Sequence, residues 1–67
     1  MTLSEYMTEV TAMTGRATAR GTMPKPGSVR EGNYSLWLAK GLKFAAEGKA
    51  DWARQMLGRC KDIVVDY

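Results

Sequence analysis

The most regular feature of the sequence is an apolar repeat in its C-terminal part. Apolar side chains recur there at spacings of three and four residues, which places them on one side of an α-helix. The repeat consists of Trp52, Ala53, Met56, Leu57, Cys60, Ile63, Val64 and Tyr67. We therefore predict a helix over residues 50–65, with Asp51 in its first turn, where the helix dipole favours a negative charge.

A second apolar face lies directly before this repeat. Asn33 belongs to the residue types that cap helix N-termini. The apolar positions that follow it are Tyr34, Trp37, Leu38, Gly41, Leu42, Phe44 and Ala45. They predict a helix over residues 34–47 that ends at Gly48. Because so few residues separate the two predicted helices, we expect them to pack side by side as an antiparallel αα-hairpin.

Residues 33–67 resemble a single tetratricopeptide repeat, a 34-residue helix-turn-helix unit. The residues that carry the resemblance are Trp37, Gly41 and Phe44, followed by Ala53, Leu57 and Cys60. It implies that Gly41 and Ala53 let the two helix backbones approach closely. The alternative is a generic helical hairpin that meets the same packing demands. Three departures favour it: Lys40 stands where the family usually has leucine, no proline follows Val64, and there is one copy where arrays need at least about three repeats.

The N-terminal residues predict a further helix. Thr2 and Glu5 have the spacing of a capping box, in which each residue's side chain accepts a hydrogen bond from the other's backbone amide. The apolar positions that follow are Leu3, Tyr6, Met7, Val10 and Met13. Gly15 then stands where a left-handed residue would end the helix. We predict a helix over residues 3–14.

Residues 15–32 lack apolar periodicity and contain glycine or proline every few positions. Pro24 and Pro26 favour an extended backbone in the middle of this stretch. We predict a long basic connector between the first helix and the hairpin. The complete prediction is one small all-α domain over residues 1–67, with three helices.

The composition argues against catalytic and metal chemistry. The chain has 67 residues, one cysteine and no histidine. An internal disulfide is thus excluded, and a zinc site would lack its usual ligands. Cys60 lies within an apolar stripe and has no histidine to act as its base. We predict a non-enzymatic protein with no metal and no cofactor.

The sequence also argues against a membrane protein. No apolar run approaches the roughly 18 residues that a transmembrane helix needs. Glu5 and Glu9 stand where a secretory signal would have a basic start and an apolar core. We expect a cytoplasmic protein.

Positive charge suggests one class of partner. The net charge is +3, and residues 16–33 alone carry four basic residues against Glu31, which also sums to +3. Basic side chains can neutralise nucleic-acid phosphates. The candidate contacts are Arg16, Arg20, Lys25, Arg30, Arg54 and Arg59. Nucleic-acid binding is therefore an alternative function, in which the predicted connector and the last helix act together.

Small size and aromatic content favour protein binding as the first hypothesis. A chain this short buries only about 60% of the surface that it exposes when unfolded. Three short helices offer little depth to cover its aromatic side chains and methionines, which are enriched at protein interfaces. We predict a regulator, adaptor or inhibitor, typical of a small bacterial or phage accessory protein, that binds a larger protein or a second copy of itself. The candidate contacts are Tyr6, Met7, Tyr34, Trp37, Trp52 and Met56.

Overall fold

The computed structural model describes residues 1–64, and every regular element in this range is an α-helix. Helix α1 spans Leu3–Arg20, α2 spans Val29–Ala46 and α3 spans Ala50–Val64. The predicted all-α class and the predicted number of helices are confirmed. The predicted end of the last helix at residue 65 and the contribution of Tyr67 to its apolar repeat lie outside the described residues.

The capping box at the start of α1 forms as the sequence predicts. The Thr2 hydroxyl accepts a hydrogen bond from the Glu5 amide at 3.1 Å, and the Glu5 carboxylate accepts one from the Thr2 amide at 2.8 Å. The hydrogen bond from the Thr2 amide is the largest of the interactions that stabilise the ionised carboxylate and lower the pKa of Glu5. The N-terminus of α1 is thus determined by residues that lie close together in the sequence.

Helix α1 is longer than predicted, because the chain stays helical through Gly15 and reaches Arg20. Gly21 takes the left-handed conformation instead, with φ of 71°. The amide of Thr22 donates to the Ala17 carbonyl at 2.9 Å, and that of Gly21 donates to the Thr18 carbonyl at 3.2 Å, which is the Schellman arrangement. Ala17 is fully buried, so packing of the additional turn stabilises it.

Helix α2 begins earlier than predicted, at Val29, with Ser28 as its N-cap. The Ser28 hydroxyl accepts a hydrogen bond from the Glu31 amide at 3.1 Å, while Asn33 lies within the helix. The predicted connector over residues 15–32 is therefore wrong in extent. The loop between α1 and α2 comprises residues 21–28.

The core lies where the three helices meet. Its buried apolar residues are Tyr6, Met13, Ala17, Tyr34, Ala45, Ala53, Met56, Leu57, Cys60 and Val64. Helices α2 and α3 share the largest interface, and α1 packs against both of them. The backbone turns between α2 and α3 at Gly48, which has a φ of 78°. Within residues 1–64, no helix combines the length and apolar character that crossing a bilayer would require.

Candidate interaction surfaces

The structure separates the six predicted partner contacts by their burial. Tyr6, Tyr34 and Met56 are buried in the chain's own core. Trp37 is partly buried, and Met7 and Trp52 remain exposed. Half of the predicted set therefore stabilises the fold, and the residues that keep exposed surface for a partner are Met7, Trp37 and Trp52.

Tyr6 joins α1 to α2. Its hydroxyl donates a hydrogen bond to the Leu38 carbonyl at 2.8 Å. Burial, with smaller contributions from the neighbouring Cys60 and Tyr34, raises the pKa of Tyr6 to about 12. The phenol lies against Gly41, where a β-carbon would come 2.7 Å from Tyr6 Cζ. The space that Gly41 leaves is therefore filled by a side chain of α1, whereas the sequence suggested that it served the approach of α3.

An open apolar groove of about 370 Å³ runs between α1 and α2. We call it the α1–α2 groove. It is lined by Tyr6, Met7, Val10, Ser35, Leu38, Ala39 and Leu42. Met7 and Leu42 remain 47% and 40% exposed, so apolar surface is available to a partner.

The surface of α1 beside this groove carries no charge. The charged residues of α1 are Glu5, Glu9, Arg16 and Arg20, whose spacings of four, seven and four residues place them together on the other side of the helix. The uncharged side includes Thr8 and Thr11, whose hydroxyls donate to backbone carbonyls one turn earlier, at 3.0 and 2.9 Å. Their hydrogen-bond donors are thus already used within the helix.

The groove side of α2 is uncharged from its second turn onward, where its residues are Ser35, Leu38, Ala39, Leu42 and Ala46. One turn earlier, Glu31 lies on the same side, and its carboxylate accepts a hydrogen bond from the Ser35 hydroxyl at 2.7 Å. On the charged side of α1, Glu9 lies 4.0 Å from Lys61 of α3. The α1–α2 groove therefore has an uncharged border along α1 and along α2 from Ser35 onward, with one carboxylate at the N-terminal end of the α2 border.

The predicted nucleic-acid contacts are distributed over the three helices and the loop between α1 and α2. Arg16 and Arg20 belong to α1, and Lys25 is exposed in the loop. Arg30 lies in the first turn of α2 and donates to the Ile63 carbonyl. The remaining two, on α3, are Arg54, which pairs with Asp51 at 3.4 Å, and Arg59, which lies over the Trp37 ring.

A set of residues that shares only Arg59 with these contacts forms what we call the aromatic-basic face of α2 and α3, which includes Lys49 in the turn between the two helices. Its members are Trp37, Lys40, Phe44, Lys49, Trp52 and Arg59. The Arg59 guanidinium lies 4.8 Å from the Trp37 ring centroid, and Lys40 Nζ lies 5.3 Å from it. Phe44 and Trp52 have ring centroids 6.0 Å apart.

Lys40, Phe44 and Lys49 were absent from the sites predicted from the sequence. A signal was nevertheless present, because Trp37 and Phe44 are seven residues apart, as are Trp52 and Arg59. That spacing is two helical turns, so each pair lies on one side of its helix. Those spacings did not indicate which side of α2 packs against which side of α3.

Cys60 is fully buried, and its Sγ lies 3.8 Å from the Tyr34 carbonyl oxygen. Burial raises the pKa of the Cys60 thiol to about 11, which disfavours the nucleophilic thiolate. Across residues 1–64, no cluster of three or more histidine, cysteine, aspartate or glutamate side chains is arranged to hold a metal ion.

Comparison of the chain with protein-family models, curated proteins and solved structures gave no match. The tetratricopeptide resemblance therefore rests on the residues that suggested it.

Proposed function

We propose that this chain is a non-enzymatic interaction module that binds an amphipathic helix of a larger protein in the α1–α2 groove. The observation that carries the proposal is an apolar groove whose border is uncharged along α1 and along α2 from Ser35 onward. Charged side chains are costly to bury without partners, so a surface that lacks them is suited to close contact with another apolar surface.

The groove favours a helical partner because its own residues repeat at helical spacing. Met7 and Val10 are three residues apart on α1, and Leu38 and Leu42 are four apart on α2. Side chains at these spacings form ridges, and the ridges of a partner helix can pack into the grooves between them. A partner helix would insert apolar side chains spaced three, four and seven residues apart.

In this proposal α2 and α3 form the antiparallel hairpin that supports the groove. Phe44 near the end of α2 packs against Trp52 near the start of α3. Tyr34 near the start of α2 contacts Cys60 in the last turns of α3. This reversed order of contacts supports an antiparallel two-helix platform on which α1 lies. Whether binding regulates, recruits or inhibits the larger protein depends on the identity of that protein.

The test begins with sedimentation equilibrium of the full chain. We expect a monomer at the concentrations used for binding. A stable dimer that is lost in Leu42→Ser would contradict the proposal, because it would show that a second copy occupies the groove.

A displayed library of helical peptides would then be selected for binding to the full chain. We expect the selected peptides to share the apolar spacing of a helix that binds in a groove. Leu42→Ser should weaken their binding about tenfold, which corresponds to about 1.4 kcal/mol. Far-ultraviolet circular dichroism would confirm that the variant is folded.

Leu36→Ser is the matched control for this experiment. Leu36 is a leucine of the same helix with similar exposure, 47% against 40% for Leu42, and it does not line the groove. Its substitution should leave peptide binding unchanged. Equal weakening by the two substitutions, or selection of peptides without apolar spacing, would overturn the proposal.

A further inference from the structure

We propose that the aromatic-basic face of α2 and α3 is a second binding site, and that its ligand is a single-stranded nucleic acid. This site is separate from the α1–α2 groove and does not depend on the function proposed for it. The face has two aromatic contacts between α2 and α3. One joins Trp37 to Arg59, and the other joins Phe44 to Trp52.

The two contacts are spaced along the helices in a way that suits an extended strand. Trp37 and Phe44 are seven residues apart, as are Arg59 and Trp52, so the contacts lie about 10 Å apart along the helix axes. One strand of a duplex advances about 3.4 Å per nucleotide along the helix axis, and an extended single strand advances further. The two contacts are thus far enough apart to meet different nucleotides of one strand.

Each contact offers a surface on which a base can stack. Trp52 is 53% exposed, while Phe44 supports it from the side of α2. Arg59 is exposed, and its guanidinium lies over the Trp37 ring. The side of the guanidinium that faces away from the ring is available for stacking. Unpaired bases stack on aromatic rings and on guanidinium planes alike.

The charges of the face are suited to phosphates. Its cations are Lys40, Lys49 and Arg59, and Glu47 offsets part of this charge by pairing with Lys49 at 3.3 Å. Among residues 1–64, neither Lys40 nor Arg59 forms a salt bridge. Both cations therefore keep their charge available to an anionic ligand.

The aromatic residues favour a single strand over other anionic partners. In a duplex the bases are already stacked and paired, so Trp52 would have no exposed base plane to contact. An acidic protein segment would use the cations but would gain no stacking from Trp52. Interleaved cations and aromatic rings are characteristic of sites that bind single strands with little sequence preference.

The test is a titration of the full chain with oligodeoxythymidine, followed by tryptophan fluorescence. Trp37 and Trp52 are the two tryptophans of the chain and both belong to the face, so stacking should quench the signal. Binding should weaken steeply between about 50 and 200 mM salt, because phosphate contacts release counterions. Absence of saturable quenching at the lower salt concentration would overturn the proposal.

Two substitutions assign the binding to this face. Trp52→Ala should weaken binding at least about fivefold, the loss expected for one stacked base. Arg59→Gln should weaken binding and reduce the slope of log affinity against log salt by about 0.7, as expected for one lost phosphate contact on a single strand. Circular dichroism would verify the fold of both variants.

Arg54→Gln is the matched control, because Arg54 is an exposed arginine of α3 that pairs with Asp51 and does not belong to the face. It removes the same charge and should change affinity less than about twofold, since Arg54 is two residues from Trp52 and therefore lies on the opposite side of α3. Equal effects of Arg59→Gln and Arg54→Gln would overturn the proposal in favour of unspecific charge attraction.

Polyglutamate tests for an acidic protein partner. If the chain binds polyglutamate as tightly as oligodeoxythymidine, and Trp52→Ala has no effect, the proposal is overturned in favour of that partner. Leu42→Ser should leave oligonucleotide binding unchanged, so failure at one site remains distinguishable from failure at the other.

Discussion

Tyr6 of α1 occupies the space that Gly41 of α2 leaves by having no side chain. The same phenol donates its hydroxyl hydrogen to the Leu38 carbonyl, one turn before Gly41. Tyr6 is 1% exposed, so the contact is dry. The position of α1 on α2, and with it the shape of the α1–α2 groove, therefore depends on a glycine in the middle of a helix.

Gly41→Ala should lower the free energy of unfolding by about 1–3 kcal/mol, because the added methyl group overlaps the Tyr6 ring. A loss of stability would be informative, because in a helix interior that has room for the methyl group alanine is favoured over glycine by about 1 kcal/mol. Gly58→Ala on α3 is the control, because a β-carbon added there would meet no other side chain within 4 Å. It should stabilise the chain, and urea denaturation followed by circular dichroism measures both variants. A stabilising Gly41→Ala would contradict the observed packing of Tyr6.

Gly15→Ala tests the length of α1. Gly15 lies inside the helix with open space around it, whereas Gly21 ends the helix with φ of 71°. Gly15→Ala should therefore raise stability by about 0.5–1 kcal/mol. Gly21→Ala should lower it by roughly 1–2 kcal/mol, the cost of a left-handed conformation for a residue with a side chain. The reverse order in thermal or urea unfolding would show that the helix ends at Gly15.

Ser28→Ala tests where α2 begins. The Ser28 hydroxyl accepts from the Glu31 amide at 3.1 Å, so its removal should cost about 1 kcal/mol of stability. Asn33→Ala is the comparison, because Asn33 lies inside α2 and alanine has the higher helix propensity. We expect Asn33→Ala to be neutral or stabilising in the same urea titration. A larger loss from Asn33→Ala would place the N-cap at Asn33.

Alkaline pH should destabilise the fold through two buried groups. Burial raises the pKa of Cys60 from 9.0 to about 11 and that of Tyr6 from 10.0 to about 12. Below about pH 8 both groups are protonated in the folded and the unfolded chain, so neither contributes a pH dependence. As the pH rises toward 12, the unfolded chain releases these protons first, and stability falls by about 1.4 kcal/mol per unit of pKa difference.

Tyr6→Phe isolates the tyrosine contribution. The variant should lose about 1 kcal/mol at neutral pH with the hydrogen bond to Leu38. Its stability should then fall less steeply than that of the parent between pH 10 and 12, where Tyr6 titrates. Urea midpoints measured across this range provide the comparison. Parallel pH profiles for the two proteins would rule out Tyr6 as a source of the alkaline loss.

Local sequence determined the helical class, because its signals act between near neighbours. The Thr2 and Glu5 capping box and the apolar spacing from Trp52 to Val64 require no knowledge of the rest of the chain. The residues at which the helices end were harder to predict from the sequence. Gly15 and Gly21 are the same residue type, and burial of Ala17 against the core favours continuing the helix to the second glycine.

The division of apolar residues between core and surface was decided by the tertiary structure. Tyr6 and Met7 are adjacent and both apolar, yet Tyr6 is 1% exposed and Met7 is 47% exposed. Sequence spacing indicates which residues share a helix side, but the packing of the other helices decides which side is covered. For the same reason Arg59 meets Trp37 only in the folded chain. The sequence by itself determined that helices form, and only the tertiary structure decided which surfaces they leave for binding, because burial depends on contacts between residues far apart in the chain.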